Sequence, residues 1–259
     1  FLSRSTTSRI NSSYFYKNTA LELGTIYSAD CTFLIYNCKF EKNYANLGGG
    51  LVVDRTAKGN LIGGSFVDNS ARVRGGGIAL RGLASLDISE TTIGPGNKVL
   101  DKRIAEGGGI SINAFTFLTM TNAVVYNNTA TVGGGIAATD QSVLKVTKSH
   151  ISSNQASDGG GIGILASVEF AISKSKFTNN SAVYRGGGIY TDHTNCPINE
   201  THWWLCIALD NVHYVGNAAV SGGGFYWKFI NSTTGALSTS VSSDLKCPGC
   251  TGSYNIPSM

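Results

Sequence analysis

Acidic residues are the first candidates for chemistry in this 259-residue chain, because cleavage of a glycosidic bond needs two carboxyl groups that face each other. The chain contains 16 aspartates and glutamates, and no two of them are adjacent. Four could line one face of the molecule: Asp54, Asp87, Asp140 and Asp192. Their spacing does not establish a pair, so we interpret them as solvated turn residues.

The four histidines lack the spacing of a metal site. His150 and His213 each precede an apolar residue of strand type, and His193 and His202 lie in a long insertion. No HxxxH pair of the kind that binds zinc occurs. We therefore predict that the chain is not an enzyme and has no catalytic residue, no metal site and no cofactor.

The composition excludes several classes of protein. Charged residues make up 14% of the chain, the net charge is +4, and glycine accounts for 33 residues. Coiled coils, collagen and charged disordered segments all need a different composition. No apolar run reaches the ~18 residues of a membrane helix. We therefore expect no membrane-spanning segment. Because the basic residues are scattered along the chain, we also expect no nucleic-acid partner.

Glycine triplets recur along the chain. They begin at Gly48, Gly75, Gly107, Gly133, Gly159, Gly186 and Gly222. The intervals are 26 or 27 residues in four cases, and 32 and 36 in the other two. A fixed period of this length is typical of a repeat architecture, in which each repeat forms one structural unit. The two longer intervals indicate insertions into the basic unit.

A second motif keeps the same period. In this motif an apolar residue is followed three positions later by Asn, and the Asn is followed two positions later by Ala. The asparagines are Asn43, Asn69, Asn128, Asn154, Asn180 and Asn217. We predict that these six side chains stack in one line, where each amide bonds the amides above and below. Their role is therefore expected to be structural.

Apolar residues two positions apart predict the secondary structure. Pairs such as Leu144 and Val146, or Ile136 and Ala138, have strand spacing, and no sustained helical spacing occurs. Each repeat thus contains three short strands and leaves no room for a helical crossover. The chain is predicted to be an all-β, parallel β-helix solenoid of about eight coils, each of about 26 residues.

The repeat resembles a known one. FEKN at 40–43, FVDN at 66–69 and FTNN at 177–180, each paired with a glycine segment, are similar to the repeat of the chlamydial polymorphic outer membrane proteins. Related repeats occur in other right-handed, pectin-lyase-like β-helices. The resemblance covers roughly residues 15–230. It implies a right-handed coil, an extracellular or cell-surface location, and an adhesive or structural role.

The repeat divides the chain into three parts. Residues 1–14 are expected to form an N-terminal cap or connector, and residues 15–239 the β-helix. The β-helix carries insertions near 98–105 and 192–204. Residues 240–259 form a tail that contains the motif CPGC.

The second insertion is the most distinctive segment. Cys196 and Cys206 bracket it, and we predict that they form a disulfide that staples the loop. Trp203 and Trp204 could contact a sugar or a protein, or they could cover the small core of the loop itself.

The remaining cysteines differ in their expected pairing. Cys247 and Cys250 of the CPGC motif are predicted to form a tail disulfide, because a single CxxC is an incomplete zinc site. Cys31 and Cys38 are seven residues apart in a predicted strand. Unless the chain turns sharply there, they lie too far apart to pair with each other.

Five N-x-S/T sequons are candidates for glycosylation. They begin at Asn11, Asn127, Asn179, Asn199 and Asn231. Asn127 and Asn179 each precede a stacked Asn at a turn, where a glycan would be exposed.

These features predict an extracellular structural or adhesive β-helix, and in the more specific form of this prediction it is a glycosylated subunit of a surface fibre. Its expected partners are other copies of itself, joined head to tail, or surface glycans. The alternatives are a glycan-binding module that uses the insertion, and a polysaccharide-active enzyme. Converging carboxylates would favour the enzyme, whereas an exposed aromatic platform would favour the binding module.

Overall fold

The computed structural model describes residues 2–3, 7–101, 103, 105–193, 207–230, 237–241 and 251–252. In these residues the chain forms strands, turns and bends, and no helix. Consequently, no helix in the described part is long and apolar enough to cross a membrane. Each strand pairs in parallel with its counterpart one coil later, which confirms the predicted parallel solenoid.

Sheet 1 is built from the strands that follow the glycine triplets, and it has ten members. They are Leu2–Ser3, Ile26–Ala29, Leu51–Asp54, Ile78–Leu80, Ile110–Ile112, Ile136–Ala138, Ile162–Leu165, Ile189–His193, Phe225–Ile230 and Leu237–Val241. The last strand is antiparallel to its neighbour, and the other pairings are parallel.

Sheet 2 is built from the strands with alternating apolar residues. Its eight strands correspond to the predicted coils and enclose seven complete turns. They are Thr7–Asn11, Thr32–Tyr36, Lys58–Ile62, Ser85–Ser89, Phe117–Thr121, Val143–Thr147, Glu169–Ser173 and Ile207–Asp210.

Sheet 3 is built from the strands around the lone apolar residue of each repeat, and it has nine members. They are Tyr14–Tyr16, Lys39–Glu41, Ser65–Val67, Thr92–Ile93, Val124–Tyr126, His150–Ser152, Lys176–Thr178, His213–Val215 and Thr251–Gly252.

A fourth side of the coil is a feature that the sequence analysis missed. Five short strands lie between the stacked asparagines and the triplets, and isolated bridges extend their lines. The strands are Tyr44–Leu47, Ser70–Arg74, Lys98–Val99, Gln155–Asp158 and Ser181–Arg185. The buried residues of these strands are single alanines, such as Ala45 and Ala71. An alternating pair of large apolar residues is therefore missing from the sequence of these strands.

The interior is filled by columns of like side chains from successive coils. Phe15, Phe40 and Phe66 stack with ring centroids 4.7 and 4.4 Å apart. Isoleucines at equivalent positions, such as Ile110, Ile136 and Ile162, are fully buried one above another. Stacking of identical positions follows from the parallel in-register pairing, since the ~4.8 Å spacing brings each side chain against its counterpart.

The glycine triplets recur because the corners of the coil need backbone conformations and close contacts that other residues do not allow. The first glycine of each triplet has a positive φ, as at Gly159 with 68°, where other residues would be strained. At the second glycine the backbones of neighbouring coils come close. A Cβ atom at Gly160 would lie 2.5 Å from the carbonyl oxygen of Gly187, so only glycine fits.

The described residues of both terminal segments pair with coils of the β-helix. Residues 7–11 lie in parallel along residues 32–36 of the next coil. At the other end, residues 237–241 lie antiparallel along residues 226–230. The described residues of the predicted tail therefore lie against the chain's own last coil. Thr251 and Gly252 likewise pair with sheet 3.

Both insertions begin later than predicted. Lys98 and Val99 pair with Ser70 and Ala71 on the fourth side, so the first insertion follows residue 99. The strand Ile189–His193 includes the first two residues of the second predicted insertion. The rest of that insertion lies outside the described residues, as do Cys196, Trp203, Trp204 and Cys206.

Candidate functional site

The stacked asparagines lie inside the coil rather than on a binding surface. The side chains of all six predicted residues are buried. Along the rod, Nδ2 of each asparagine donates a hydrogen bond to Oδ1 of the asparagine in the next coil, at 2.9–3.0 Å. The ladder consists of Asn43, Asn69, Asn97, Asn128, Asn154, Asn180 and Asn217. Asn18 extends the ladder at the first coil. Asn97 belongs to it as well, although its repeat is irregular in sequence.

Each amide of this ladder has several partners. Oδ1 of Asn154 accepts from both the backbone N–H and Nδ2 of Asn128, while its own Nδ2 donates to the carbonyl of Val125 and to Oδ1 of Asn180. Because a buried polar group is costly unless it is hydrogen-bonded, this arrangement accounts for the recurrence of asparagine. The ladder stabilises the corner and offers no group to a ligand.

A second ladder of polar side chains occupies the corner before sheet 3. Oγ of Ser149 donates to the carbonyl of Thr147 and accepts the backbone N–H of Ala123, and Ser175 repeats the pattern one coil later. Cys38 occupies the equivalent position, where its thiol contacts the carbonyl of Tyr36 at 3.4 Å. The thiol therefore takes the place of a serine hydroxyl in this ladder.

Cys31 also has a local partner, since its Sγ lies 3.1 Å from Oγ of Ser28. Cys31 and Cys38 are both buried and do not form a disulfide with each other, in agreement with the sequence analysis. The predicted disulfides, Cys196 with Cys206 and Cys247 with Cys250, lie outside the described residues.

The outer face of sheet 1 carries carboxylates that bind arginines. Oδ2 of Asp54 accepts from Arg81 at 2.7 Å and from the hydroxyl of Tyr27 at 2.8 Å. The buried Asp54 has a lowered pKa, because these hydrogen bonds outweigh the opposing effect of desolvation. Arg81 lies one coil above Asp54, so the contact ties two coils together.

On the fourth side, three coils further on, Asp158 and Arg185 form a second ion pair between neighbouring coils. Nε of Arg185 donates to Oδ1 at 2.8 Å, and its terminal nitrogen donates to Oδ2 at 3.0 Å, which is a bidentate arrangement. The guanidinium lies 4.5 Å from the ring centroid of Tyr190 and 5.8 Å from that of Tyr226. Both rings are buried, so they do not form an exposed platform.

Glu106 differs from these two aspartates. Its carboxylate lies 2.8 Å from Nε of Arg74, yet desolvation raises the pKa of Glu106, and Asp140 adds to the effect against the opposing charge of Arg74. Asp140 itself accepts a hydrogen bond from Nδ2 of Asn113 at 2.5 Å. The pKa of Glu106, on the fourth side, is therefore shifted in the opposite direction from that of Asp54.

The four aspartates singled out in the sequence do not converge. Asp54 and Asp192 share one line of sheet 1 but are five coils apart, about 24 Å at the ~4.8 Å spacing of strands. Asp140 lies at a corner, two residues after the end of the sheet 1 strand Ile136–Ala138. Asp87 is exposed on sheet 2. Among the described residues, no group of three His, Cys, Asp or Glu could hold a metal ion.

The histidines are likewise separate. His150 and His213 occupy the outer side of sheet 3, two coils apart, and Nε2 of His150 lies 2.6 Å from Oγ1 of Thr178. Partial burial lowers the pKa of His150, and the nearby Lys176 adds to this effect. The side chain of His193 and all of His202 lie outside the described residues.

The sequons that the structure describes are on the surface. Asn127 and Asn179 are exposed corner residues with φ values of 51° and 54°, directly before Asn128 and Asn180 of the ladder. Asn11 is exposed at the end of a sheet 2 strand. Asn199 and Asn231 lie outside the described residues.

An exposed group of aromatic and charged residues on sheet 3 was not singled out in the sequence. Tyr14 and Tyr16, 57% and 41% exposed, lie on the outer side of the first coil with ring centroids 5.4 Å apart. Three lysines and one glutamate surround the two rings. We call this group the tyrosine–lysine surface; it consists of Tyr14, Tyr16, Lys17, Lys39, Glu41 and Lys42.

Glu41 organises this surface. Its carboxylate lies 2.6 Å from Nζ of Lys39 and 3.5 Å from Nζ of Lys42, and it accepts the hydroxyl of Tyr14 at 2.8 Å. The hydrogen bonds from Lys39 and Tyr14 lower the pKa of Glu41 to about 2. The alternation of Tyr14 and Tyr16 could have revealed the exposed pair, but Lys39, Glu41 and Lys42 come from the next coil.

The fold and these sites define a class of protein: a parallel β-helix whose polar ladders and ion pairs join one coil to the next. The chain matches the family model described as right handed beta helix region over residues 1–202, and it belongs to that family. No curated protein and no solved structure gives a significant match.

Proposed function

We propose that the chain is a non-catalytic structural or adhesive rod that acts outside the cell. The observation that carries this proposal is how the carboxylates of sheet 1 and of the fourth side are used. Asp54 and Asp158 each bind an arginine of the neighbouring coil, and Glu106 lies against Arg74. A glycosidase needs two carboxyl groups that face each other across a space for substrate. Here the carboxylates brace adjacent coils instead.

The regular stack supports a mechanical role. Seven turns at the ~4.8 Å spacing give a rod of about 34 Å, in which the asparagine ladder runs from the first coil to the last described one. Because each amide from Asn43 to Asn180 is hydrogen-bonded to the coils on both sides, the coils hold a single register. Such a rod presents surface residues at fixed intervals, which suits repeated contacts with a surface.

The extracellular location is part of the proposal. Exposed sequons at Asn127 and Asn179 lie at corners where an attached glycan would project into solvent. A low content of charged residues, 14%, makes solubilisation by glycans useful.

Two measurements on the purified chain test the proposal. A panel of neutral and acidic polysaccharides is incubated with the chain, and new reducing ends are followed over time. Retention of the chain on the same immobilised polysaccharides is measured in parallel. We expect retention without product. Release of product that is abolished by Asp158→Asn or Glu106→Gln would overturn the proposal in favour of an enzyme.

Assembly into a head-to-tail fibre is the more specific form of this proposal. In the described residues, the first-coil strands Thr7–Asn11 and Tyr14–Tyr16 pair on one side only. At the other end, Leu237–Val241 already lies along the last parallel strand of sheet 1. The end of sheet 3 is likewise occupied, by Thr251–Gly252. We therefore propose that the unpaired edges of the first coil take part in the contact between copies. Sedimentation that shows a monomer at all concentrations would exclude the fibre without excluding adhesion.

A further inference from the structure

The tyrosine–lysine surface combines exposed aromatic rings with unbalanced positive charge. Its three lysine ammonium groups face a single carboxylate, which leaves a net charge of +2. Glu41 is already engaged by Lys39, Lys42 and Tyr14. Among the described residues Lys17 has no carboxylate partner, and its Nζ lies 5.1 Å from the ring centroid of Tyr16.

The lysines are held in place by the rings. Nζ of Lys39 lies 5.3 Å from the ring centroid of Tyr14, and Nζ of Lys42 lies 5.9 Å from that of Tyr16. A cation over a tyrosine ring is attracted by the ring's quadrupole, so the ammonium groups are positioned before any ligand arrives. Preorganisation of this kind reduces the entropy that binding costs.

We infer that this surface binds an acidic glycan, one whose sugars carry carboxylate or sulfate groups. The C–H face of a pyranose packs on the exposed part of a tyrosine ring, since that face is apolar. The acidic group of the same sugar accepts hydrogen bonds from Lys17 and Lys42, which lie on adjacent coils at equivalent corners. The inference rests on the proposed adhesive function and names the ligand class for it.

The extent of the positive charge favours a glycan over a nucleic acid. The outward line of sheet 3 that begins with Tyr14 and Lys39 continues through Ser65, Thr92, Val124 and His150 before the next lysine, Lys176. A phosphate backbone would need positive charge along its whole length. A short cluster matches the few acidic groups of one or two sugar units.

The test uses the full chain and two oligosaccharides of equal length. One is a hexamer of galacturonic acid and the other is a neutral hexamer of glucose, and binding is measured by titration calorimetry at low salt. We expect the acidic hexamer to bind and the neutral one to bind much more weakly. The double variant Lys17→Ala/Lys42→Ala should weaken binding about tenfold, because each lost surface contact to a charged group contributes modestly.

A matched control removes the same charge elsewhere on the rod. Lys174→Ala/Lys176→Ala lowers the net charge equally but leaves the tyrosine–lysine surface intact, so it should bind like the unaltered chain. A second variant, Tyr16→Ala, should also lose affinity although it changes no charge. Circular dichroism and thermal unfolding establish that each variant is folded.

Several outcomes would overturn the inference. They are equal loss in the control and the test variant, equal binding of the neutral hexamer, or equal binding of a six-nucleotide single-stranded DNA. If the chain is retained on acidic polysaccharide but Lys17→Ala/Lys42→Ala has no effect, the site is wrong and the adhesive function stands. If the hexamer is cleaved, the proposed function fails instead.

Discussion

The side chain of Asn69 donates a hydrogen bond to Oδ1 of Asn97 at 3.0 Å, although the segment after Asn97 departs from the repeat. Asn97 in turn donates to Oδ1 of Asn128 at 2.9 Å. The ladder therefore continues through the irregular coil without interruption. One extra residue lies in the corner itself, since Ile93 and Asn97 are four positions apart whereas Phe66 and Asn69 are three apart. The other extra residues follow Val99, and the amides of neighbouring coils still bond to one another.

Removal of one amide from the ladder should be costly. In Asn154→Ala, the backbone N–H and Nδ2 of Asn128 lose their common acceptor, and the carbonyl of Val125 loses a donor. We expect a loss of about 2–4 kcal/mol in the free energy of unfolding, because these groups stay buried without partners. Urea unfolding measures it. Asn60→Ala on the exposed side of sheet 2 is the control and should change stability by less than ~0.5 kcal/mol.

Glu106 should make the chain less stable as the pH rises. Its pKa is raised by desolvation, so the folded chain holds the proton more tightly than the unfolded chain does. The stabilising contribution of the protonated form is complete below the unfolded pKa near 4.5 and is lost as the pH rises through the folded value. Glu106→Gln should therefore raise the unfolding temperature at pH 7, and this gain should disappear in acid.

Glu41 provides the opposite case for the same measurement. Its pKa is lowered to about 2, mainly by the hydrogen bond from Lys39. Its stabilising contribution is present above the unfolded pKa and is lost as the pH falls through the folded value. Glu41→Gln should thus lower the unfolding temperature at pH 7. If both glutamine variants shift in the same direction, the assignment of the two environments is wrong.

Cys38 should tolerate a serine but not an apolar residue. In Cys38→Ser the hydroxyl can repeat the contacts of Ser149 and Ser175, which donate to the carbonyl two residues earlier. Cys38→Val would leave the carbonyl of Tyr36 and the backbone N–H of Ser13 without the sulfur partner. We expect the free energy of unfolding of Cys38→Ser to lie within ~0.5 kcal/mol of that of the unaltered chain, and that of Cys38→Val to be lower by about 1–2 kcal/mol. Equal losses would contradict a hydrogen-bonding role.

Glycosylation at Asn127 can be tested without disturbing the ladder. Thr129→Ala destroys the sequon but leaves Asn127 and Asn128 in place. In protein from the native source, we expect mass spectrometry of peptides to show a glycan on Asn127, and no glycan there in Thr129→Ala. Ser181→Ala tests Asn179 in the same way. Unmodified peptides for both asparagines would refute both sites.

The period of the sequence determined the fold by itself. The glycine triplets and the Asn positions recur together, and in a parallel stack equal spacing places equal residues in one column. For this reason the coil, the sheets that contain apolar pairs, and the asparagine ladder were all predictable. Asn97 was not, because it stands four positions after Ile93, whereas the motif has three.

Tertiary structure alone decided which residues meet across coils when their types differ. Arg185 binds Asp158 and Arg74 lies against Glu106, but Val132 stands between these two pairs in the same column, so the charges follow no period in the sequence. The corner ladder also escaped notice, because Ser149, Ser175 and Cys38 serve in it and Ala123 interrupts it. The tyrosine–lysine surface joins neighbours from two coils, and no spacing within one repeat reveals that contact. Repetition encodes like residues in register, whereas contacts between unlike residues become visible only when the coils are stacked.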